Sequence, residues 1–141
     1  MGSKDFTQLI VWQKAHQVRL AVFDATEKPP LARMFRLVDQ MQSAAQSVPG
    51  NIAEGFGRRM PRDKARFYTF AKGSADELKN QLIFVRDKGY WRENLEVQSK
   101  LEEVCRMLRR LIEPTSAEGD AWGVLGFSIL YSRQIVFSYS L

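Results

Sequence analysis

The chain has 141 residues, of which 45% are apolar and 26% charged, a composition that fits one globular domain and excludes a disordered or fibrous protein. The single cysteine excludes an internal disulfide, and the first residues lack the apolar stretch of a secretory signal, so we expect a cytoplasmic protein. A net charge of +5 at pH 7 favours anionic partners without identifying one.

Hydrophobic periodicity predicts two helices in the first half of the chain. The first covers about residues 9–28, where two consecutive prolines end it. The second begins at residue 34 or 35, and apolar side chains recur on one face at helical spacing as far as Gly55. Pro49 lies inside this helix, and because an interior proline removes a backbone hydrogen bond, we expect a kink there.

Two further helices are predicted in the second half of the chain. The third covers about residues 61–88, and its inward stripe includes Phe67 and Phe70. The fourth covers about residues 95–113 and is expected to end at Pro114. Short connections between four amphipathic helices predict an all-α fold, an antiparallel up-down-up-down four-helix bundle.

The C-terminal extension, residues 115–141, differs in character from the predicted bundle of residues 1–114. From Phe127 onward β-branched and aromatic residues alternate with other residues, a pattern of period two that predicts a β-strand. Arg133, Gln134 and several serines interrupt this segment, so it is not a membrane span. Because a lone strand has no ladder partner in a helical bundle, we expect the extension to pair with another chain or to be loosely held.

Residues capable of catalysis are few, and each has a simpler structural role. Cys105 lies on the core stripe of the fourth helix, where a free cysteine behaves as a small apolar residue. His16, the one histidine, cannot supply the paired Glu-x-x-His motifs of a di-iron bundle. Glu102 and Glu103 suggest a nucleotide hydrolase only as the last-ranked hypothesis, because helical geometry places Glu103 on a solvated face. We therefore predict a non-enzymatic protein without a metal or cofactor.

Basic residues are concentrated between the second and third helices and continue along the third, where three of them recur every seven residues. Rows of cationic side chains suit phosphates, because guanidinium groups bind them in a bidentate manner and each neutralised phosphate releases counterions. The candidate nucleic-acid contacts are Arg58, Arg59, Arg62, Arg66, Lys72, Lys79 and Arg86.

Aromatic residues near these cations are candidates for stacking on unpaired bases. They are Phe56, Tyr68, Tyr90 and Trp91. The alternative interpretation is an ordinary solvated face whose cations are balanced by neighbouring carboxylates. Those carboxylates are Asp63, Asp76, Glu77 and Asp87. From the residues alone the two interpretations are equally good.

Residues 47–58 read Ser-Val-Pro-Gly-Asn-Ile-Ala-Glu-Gly-Phe-Gly-Arg, with Val-Trp-Gln-Lys-Ala-His at 11–16 and Ala-Lys-Gly-Ser-Ala-Asp-Glu-Leu at 71–78. With these elements the chain, from about Phe6 to Ile112, resembles the four-helix bundle family whose founding members are encoded in intervening sequences of bacterial 23S ribosomal RNA genes. The resemblance implies a bundle with a basic surface that assembles as a ring, commonly a pentamer. A related protein, the accessory variability determinant of diversity-generating retroelements, binds nucleic acid and a reverse transcriptase.

The residues that carry the resemblance also have a physical interpretation. We expect Asn51 and Glu54 to satisfy backbone groups that Pro49 and the helix end leave unpaired. Gly55 and Gly57 are expected to form the left-handed turn that ends the helix. Small residues at 73 and 74 would allow two helices to approach closely. At position 50 glycine replaces the usual alanine, which should loosen the helix by roughly 0.5–1 kcal/mol. The signature is therefore interpreted as architectural.

Two functional hypotheses follow. The first is a homo-oligomer that binds RNA or DNA through an exposed surface of arginine and lysine. The second is a protein-interaction scaffold, or an accessory subunit of a reverse transcriptase in a diversity-generating retroelement.

Overall fold

The structure, a computed structural model, describes residue 2 and residues 4–117, with side chains as far as residue 113. All regular elements in this part of the chain are helical. Two 3-10 turns, Phe6–Gln8 and Leu31–Arg33, accompany the four α-helices: α1 (Ile10–Thr26), α2 (Phe35–Gly57), α3 (Pro61–Asp87) and α4 (Leu95–Ala117). The predicted all-α four-helix fold is confirmed. The strand pattern predicted from Phe127 onward lies outside the described residues.

The helices pack in sequence order, and α1 closes the bundle by packing against α4. Contacts between α2 and α3 pair Ser47 with Ser74 and Gly55 with Tyr68, so the two helices are antiparallel. None of the described helices is long and apolar enough to cross a membrane.

Each helix contributes one apolar stripe to a continuous core. Its fully buried large side chains include Val22, Met41, Val48, Ile52, Leu78, Leu82, Val85, Leu101, Val104 and Leu108. The predicted inward face of α3 is wrong near its first turns, because Phe67 and Phe70 are only half-buried whereas Tyr68 is 6% exposed. Residues three or four apart lie on the same face of a helix, so the buried stripe that includes Leu78 and Ala71 continues to Tyr68. Phe67 and Phe70 lie beside that stripe.

Two prolines expected to disturb helices lie within them. α2 continues through Pro49 to Gly57. α4 continues through Pro114 to Ala117, so the predicted helix end at Pro114 is wrong. A proline removes one backbone donor, and the remaining hydrogen bonds of a long helix allow it to continue.

The end of α2 differs from the expected left-handed turn. Arg58, the residue after the helix, is extended (φ −78°, ψ 142°), and the one described residue with positive φ is Gly89. Gly89 ends α3 instead: its amide donates to the Arg86 carbonyl and the amide of Tyr90 donates to the Val85 carbonyl. These two bonds form the Schellman motif, in which glycine is favoured.

The signature glycine at position 55 serves a close helix contact. A Cβ there would lie 2.8 Å from Cε1 of Tyr68, so only a glycine permits this approach. Beside it, the Asn51 amide donates to the carbonyl and the hydroxyl of Ser47, at 2.8 Å and 2.9 Å. The Ser74 hydroxyl donates to the hydroxyl oxygen of Ser47 at 2.8 Å. The Asn51 side chain thus bonds a carbonyl inside α2, but not the Ala45 carbonyl that Pro49 leaves without a donor, so the expected role is not the one observed. Ser47 and Ser74 join α2 to α3.

Candidate nucleic-acid interface

Residues 56–70 form the turn between α2 and α3, and we call this region the basic end. It holds five cations and one carboxylate, a net charge of +4 in a chain whose total is +5. Arg58 and Met60 are extended, so the chain reverses direction within a few residues between the two helices. The cationic residues consequently gather at one corner of the bundle.

Three arginines of the basic end form no ion pair within the described residues. Arg59, Arg62 and Arg66 are exposed, and within residues 4–113 no carboxylate lies within ion-pair distance of any of them. The guanidinium carbon of Arg66 lies 5.6 Å from the centroid of the Phe70 ring, which positions this side chain along α3. These three groups are available to bind an anion.

Arg58 has two contacts that position its guanidinium group. It forms an ion pair with Glu54, one turn earlier on α2, and it lies 4.6 Å above the centroid of the Phe67 ring. Exposed pairs of this kind contribute about 0–1 kcal/mol, so a phosphate can replace the carboxylate at little cost. Glu54 was expected to satisfy backbone groups, and the structure shows this ion pair for it instead.

Lys64 has a structural role within the basic end. Its ammonium group donates to the carbonyl of Phe56 at 2.7 Å and lies near the carbonyl of Gly55 at 3.4 Å. Both carbonyls belong to the last turn of α2, where a helix lacks internal donors. A lysine in this position caps the helix and complements the negative end of its dipole.

The remaining three predicted contacts lie along α3 and are paired with carboxylates. Lys72 pairs with Asp76 at 2.7 Å, Lys79 with Glu102 of α4 at 2.8 Å, and Arg86 with Asp87 at 3.1 Å. All three cations are half-buried. The structure therefore places four of the seven predicted residues at the basic end, where only Arg58 is ion-paired, and three along α3, where each is ion-paired.

The predicted aromatic partners are distributed differently from the expectation. Tyr68 is buried, which raises the pKa of its hydroxyl, so its ring cannot stack on a base as predicted. Tyr90 and Trp91 follow α3 at the opposite end of the bundle. The rings that contact arginines of the basic end are Phe67, beside Arg58, and Phe70, beside Arg66, and the sequence had assigned both rings to the core. The spacing of the apolar residues in the C-terminal half of α3, extended towards its start, would have placed both rings beside the buried stripe.

The groups considered for catalysis all have structural partners. Cys105 is buried with its thiol 3.8 Å from a carboxylate oxygen of Asp76, and burial, reinforced by that charge, raises its pKa to about 11. His16 stacks on Trp12, and its Nδ1 atom lies 2.7 Å from a guanidinium nitrogen of Arg19. A thiol held in its protonated form is a poor nucleophile.

The carboxylates at positions 102 and 103 join α4 to its neighbours. Glu102 pairs with Lys79 of α3, and Glu103 pairs with Lys14 of α1 at 2.7 Å. The hydrogen bonds from these lysines, and then their charge, lower the pKa of both carboxyl groups. In the part of the chain that the structure describes, no three metal-ligating side chains converge on one point.

Comparison with known proteins supports the fold. A family model described as 23S rRNA-intervening sequence protein matches residues 7–110, which covers α1 to α3 and most of α4. A comparison with curated proteins gives no match.

Proposed function

The chain belongs to the 23S rRNA-intervening sequence protein family, and from this premise we propose that it is a non-enzymatic homo-oligomer that binds RNA or other nucleic acid through its basic end. The observation that carries the proposal is a set of exposed arginines that form no ion pair within the described residues: Arg59, Arg62 and Arg66. We place the protein in the cytoplasm, where its buried thiol would stay reduced.

A polyanion is the partner that this arrangement favours. Four arginines gather at one corner of the bundle, and each phosphate that they neutralise releases condensed counterions. Guanidinium groups also match the geometry of phosphate oxygens through paired donors. Lys72, Lys79 and Arg86 would contribute less, because they are spread along α3 away from this corner and their side chains are less exposed than that of Arg58.

Exposed apolar side chains support self-association. Within the described residues seven large apolar side chains are 41–79% exposed, and they are Ile10, Leu20, Phe35, Met60, Phe84, Leu95 and Leu111. Packing between copies would remove some of this surface from water. A ring of five copies, the assembly that the family resemblance implies, would present five basic ends to one strand and increase avidity.

Fluorescence anisotropy with a labelled 20-nucleotide RNA tests the proposal. We compare two triple variants that each remove three positive charges: Arg59, Arg62 and Arg66 to Gln, and Lys72, Lys79 and Arg86 to Gln. The first should weaken binding at 100 mM salt by at least about tenfold and reduce the slope of log K against log salt by about 2. The second should change affinity by less than about threefold, with circular dichroism verifying the fold of both variants.

Two results would contradict the proposal. One is the absence of RNA binding by the natural sequence at 50 mM salt. The other is an equal loss of affinity in both triple variants, which would indicate that net charge acts without a localised site.

A protein-interaction role is the second candidate, and the exposure of Phe35 favours it. This residue is 79% exposed at the start of α2, far from the basic end. Recovery of one protein partner, such as a reverse transcriptase, after nuclease treatment and its loss on Phe35→Ser would support this function.

A further inference from the structure

Cations and phenylalanine rings are interleaved on the outer side of the basic end. Arg58 lies 4.6 Å from the centroid of Phe67, and Arg66 lies 5.6 Å from the centroid of Phe70. The two rings contact each other edge to face, with centroids 5.9 Å apart. Arg58, Phe67, Phe70 and Arg66 thus form one continuous group, which we call the stacking cluster.

We propose that the stacking cluster makes the basic end selective for single-stranded over double-stranded nucleic acid, by holding unpaired bases against its guanidinium and phenyl groups. This inference rests on the proposed function and specifies the ligand of the same site. Base faces are hidden within the stack of a duplex, whereas an unpaired strand exposes them to aromatic rings and guanidinium planes.

The contacts explain why two of the arginines differ from the other two. A cation within about 6 Å of a ring centroid is attracted by the ring, which restricts its side chain before a ligand arrives. Arg58 and Arg66 meet this condition, whereas no ring contact exists for Arg59 or Arg62 within the described residues. The first pair can therefore contribute a stacking surface as well as charge, and the second pair contributes charge alone.

The exposure of the cluster fits an open strand. Phe67 and Phe70 are half-buried, so part of each side chain remains accessible to solvent. A duplex could reach the same arginines only through its phosphates. Both forms should therefore bind by charge, and the single strand should gain additional affinity from stacking.

Charge-preserving variants separate stacking from charge. The first changes Arg58 and Arg66 to Lys, and the matched control changes Arg59 and Arg62 to Lys. Anisotropy at 100 mM salt compares a 20-nucleotide RNA without self-complementarity and the duplex of the same sequence. The natural protein should bind the strand at least about tenfold more tightly than the duplex. Each variant replaces two guanidinium groups by ammonium groups of the same charge, so the two should weaken duplex binding to a similar extent. The first variant should lose most of the preference for the strand, and the control should retain it.

A second measurement addresses the rings directly. Replacing Phe67 and Phe70 by Leu retains apolar side chains. This change should reduce strand affinity about as much as changing Arg58 and Arg66 to Lys. Thermal melts establish that each variant is folded.

The outcomes separate the two proposals. Two results overturn the stacking inference and leave the proposed function standing. One is equal affinity of the natural protein for strand and duplex. The other is an equal loss of the strand preference in the two arginine variants. Failure of the natural protein to bind either RNA overturns both.

Discussion

The ring of Tyr68 on α3 packs directly against the backbone of Gly55 on α2, leaving no space for a side chain at position 55. A Cβ atom there would lie 2.8 Å and 3.0 Å from two ring carbons and 3.1 Å from Cβ of Phe67. Because the ring is buried, it cannot move aside without disturbing the core. The family signature thus includes a helix-packing glycine immediately before the basic end.

Gly55→Ala should accordingly destabilise the bundle. Overpacking costs about 1–3 kcal/mol, and the better helix propensity of alanine returns up to about 1 kcal/mol, so we expect a net loss of about 1–2 kcal/mol in the free energy of unfolding. Gly50→Ala is the matched control, because nothing lies within 4 Å of the Cβ that it would add. It should stabilise the protein by about 0.5–1 kcal/mol. Urea denaturation at one protein concentration measures both, and a stabilising Gly55→Ala would contradict the packing argument.

The hydroxyl groups of Ser47, about two turns before Gly55 on α2, and of Ser74 on α3 should be energetically coupled. Their hydrogen bond is 2.8 Å long, and Ser74 is buried. Replacing either serine by alanine should cost about 0.5–1.5 kcal/mol. The double variant should cost less than the sum of the two single changes, with a coupling energy of about 0.5–1 kcal/mol in a double-mutant cycle. Strict additivity would show that the two hydroxyl groups do not interact.

Helix type and order could be predicted from the sequence because the apolar stripes recur at helical spacing, and proline or glycine lies near most of the helix ends. The same spacing, continued back from Leu78 and Ala71, would also have placed Tyr68 in the core, with Phe67 and Phe70 beside it. The sequence could not show that the ring of Tyr68 meets Gly55 of α2, because that contact depends on how the two helices pack.

The candidate site could be located from the sequence but not divided into its parts. The cluster of cations at residues 58–66 is visible in the sequence. The pairing of Lys79 with Glu102 depends on how α4 is rotated against α3, which the sequence of either helix alone does not specify. The cation at position 64 likewise becomes a helix cap only once α3 turns back towards α2.

Asn94 should be among the most sensitive polar positions in the bundle. It is completely buried before α4, its amide donates to the Leu82 carbonyl at 2.8 Å, and its oxygen accepts from Gln98 at 2.6 Å. Asn94→Ala leaves buried polar groups without partners, so we expect a loss of about 2–3 kcal/mol. Asn80→Ala, an exposed asparagine on α3, is the control and should change stability by less than about 0.5 kcal/mol. A similar cost at both positions would contradict the role assigned to Asn94.

Stability should fall in acid in part through Glu102 and Glu103. Hydrogen bonds from Lys79 and Lys14, and then the charges of these lysines, hold the pKa of each carboxyl below its ordinary value. Because the native pKa is the lower one, the stabilisation is complete above the unfolded value of about 4.3 and is lost as the pH falls through the native value. Changing both residues to Gln should flatten the stability profile between about pH 6 and pH 3. An unchanged profile in urea titrations would show that these pairs contribute nothing.

The thiol of Cys105 should react slowly while the protein is folded. Burial, with the nearby charge of Asp76, raises its pKa to about 11, so about one thiol in a thousand is ionised at pH 8. An unfolded cysteine, with a pKa of about 8.5, is about one-quarter ionised at that pH, so the reaction with a disulfide reagent should be at least about 100-fold slower in the native protein. Asp76→Asn removes the charge but not the burial, and it should accelerate the native reaction only severalfold. A native rate close to that in guanidinium chloride would place Cys105 at an accessible and reactive site, contrary to its position in the core.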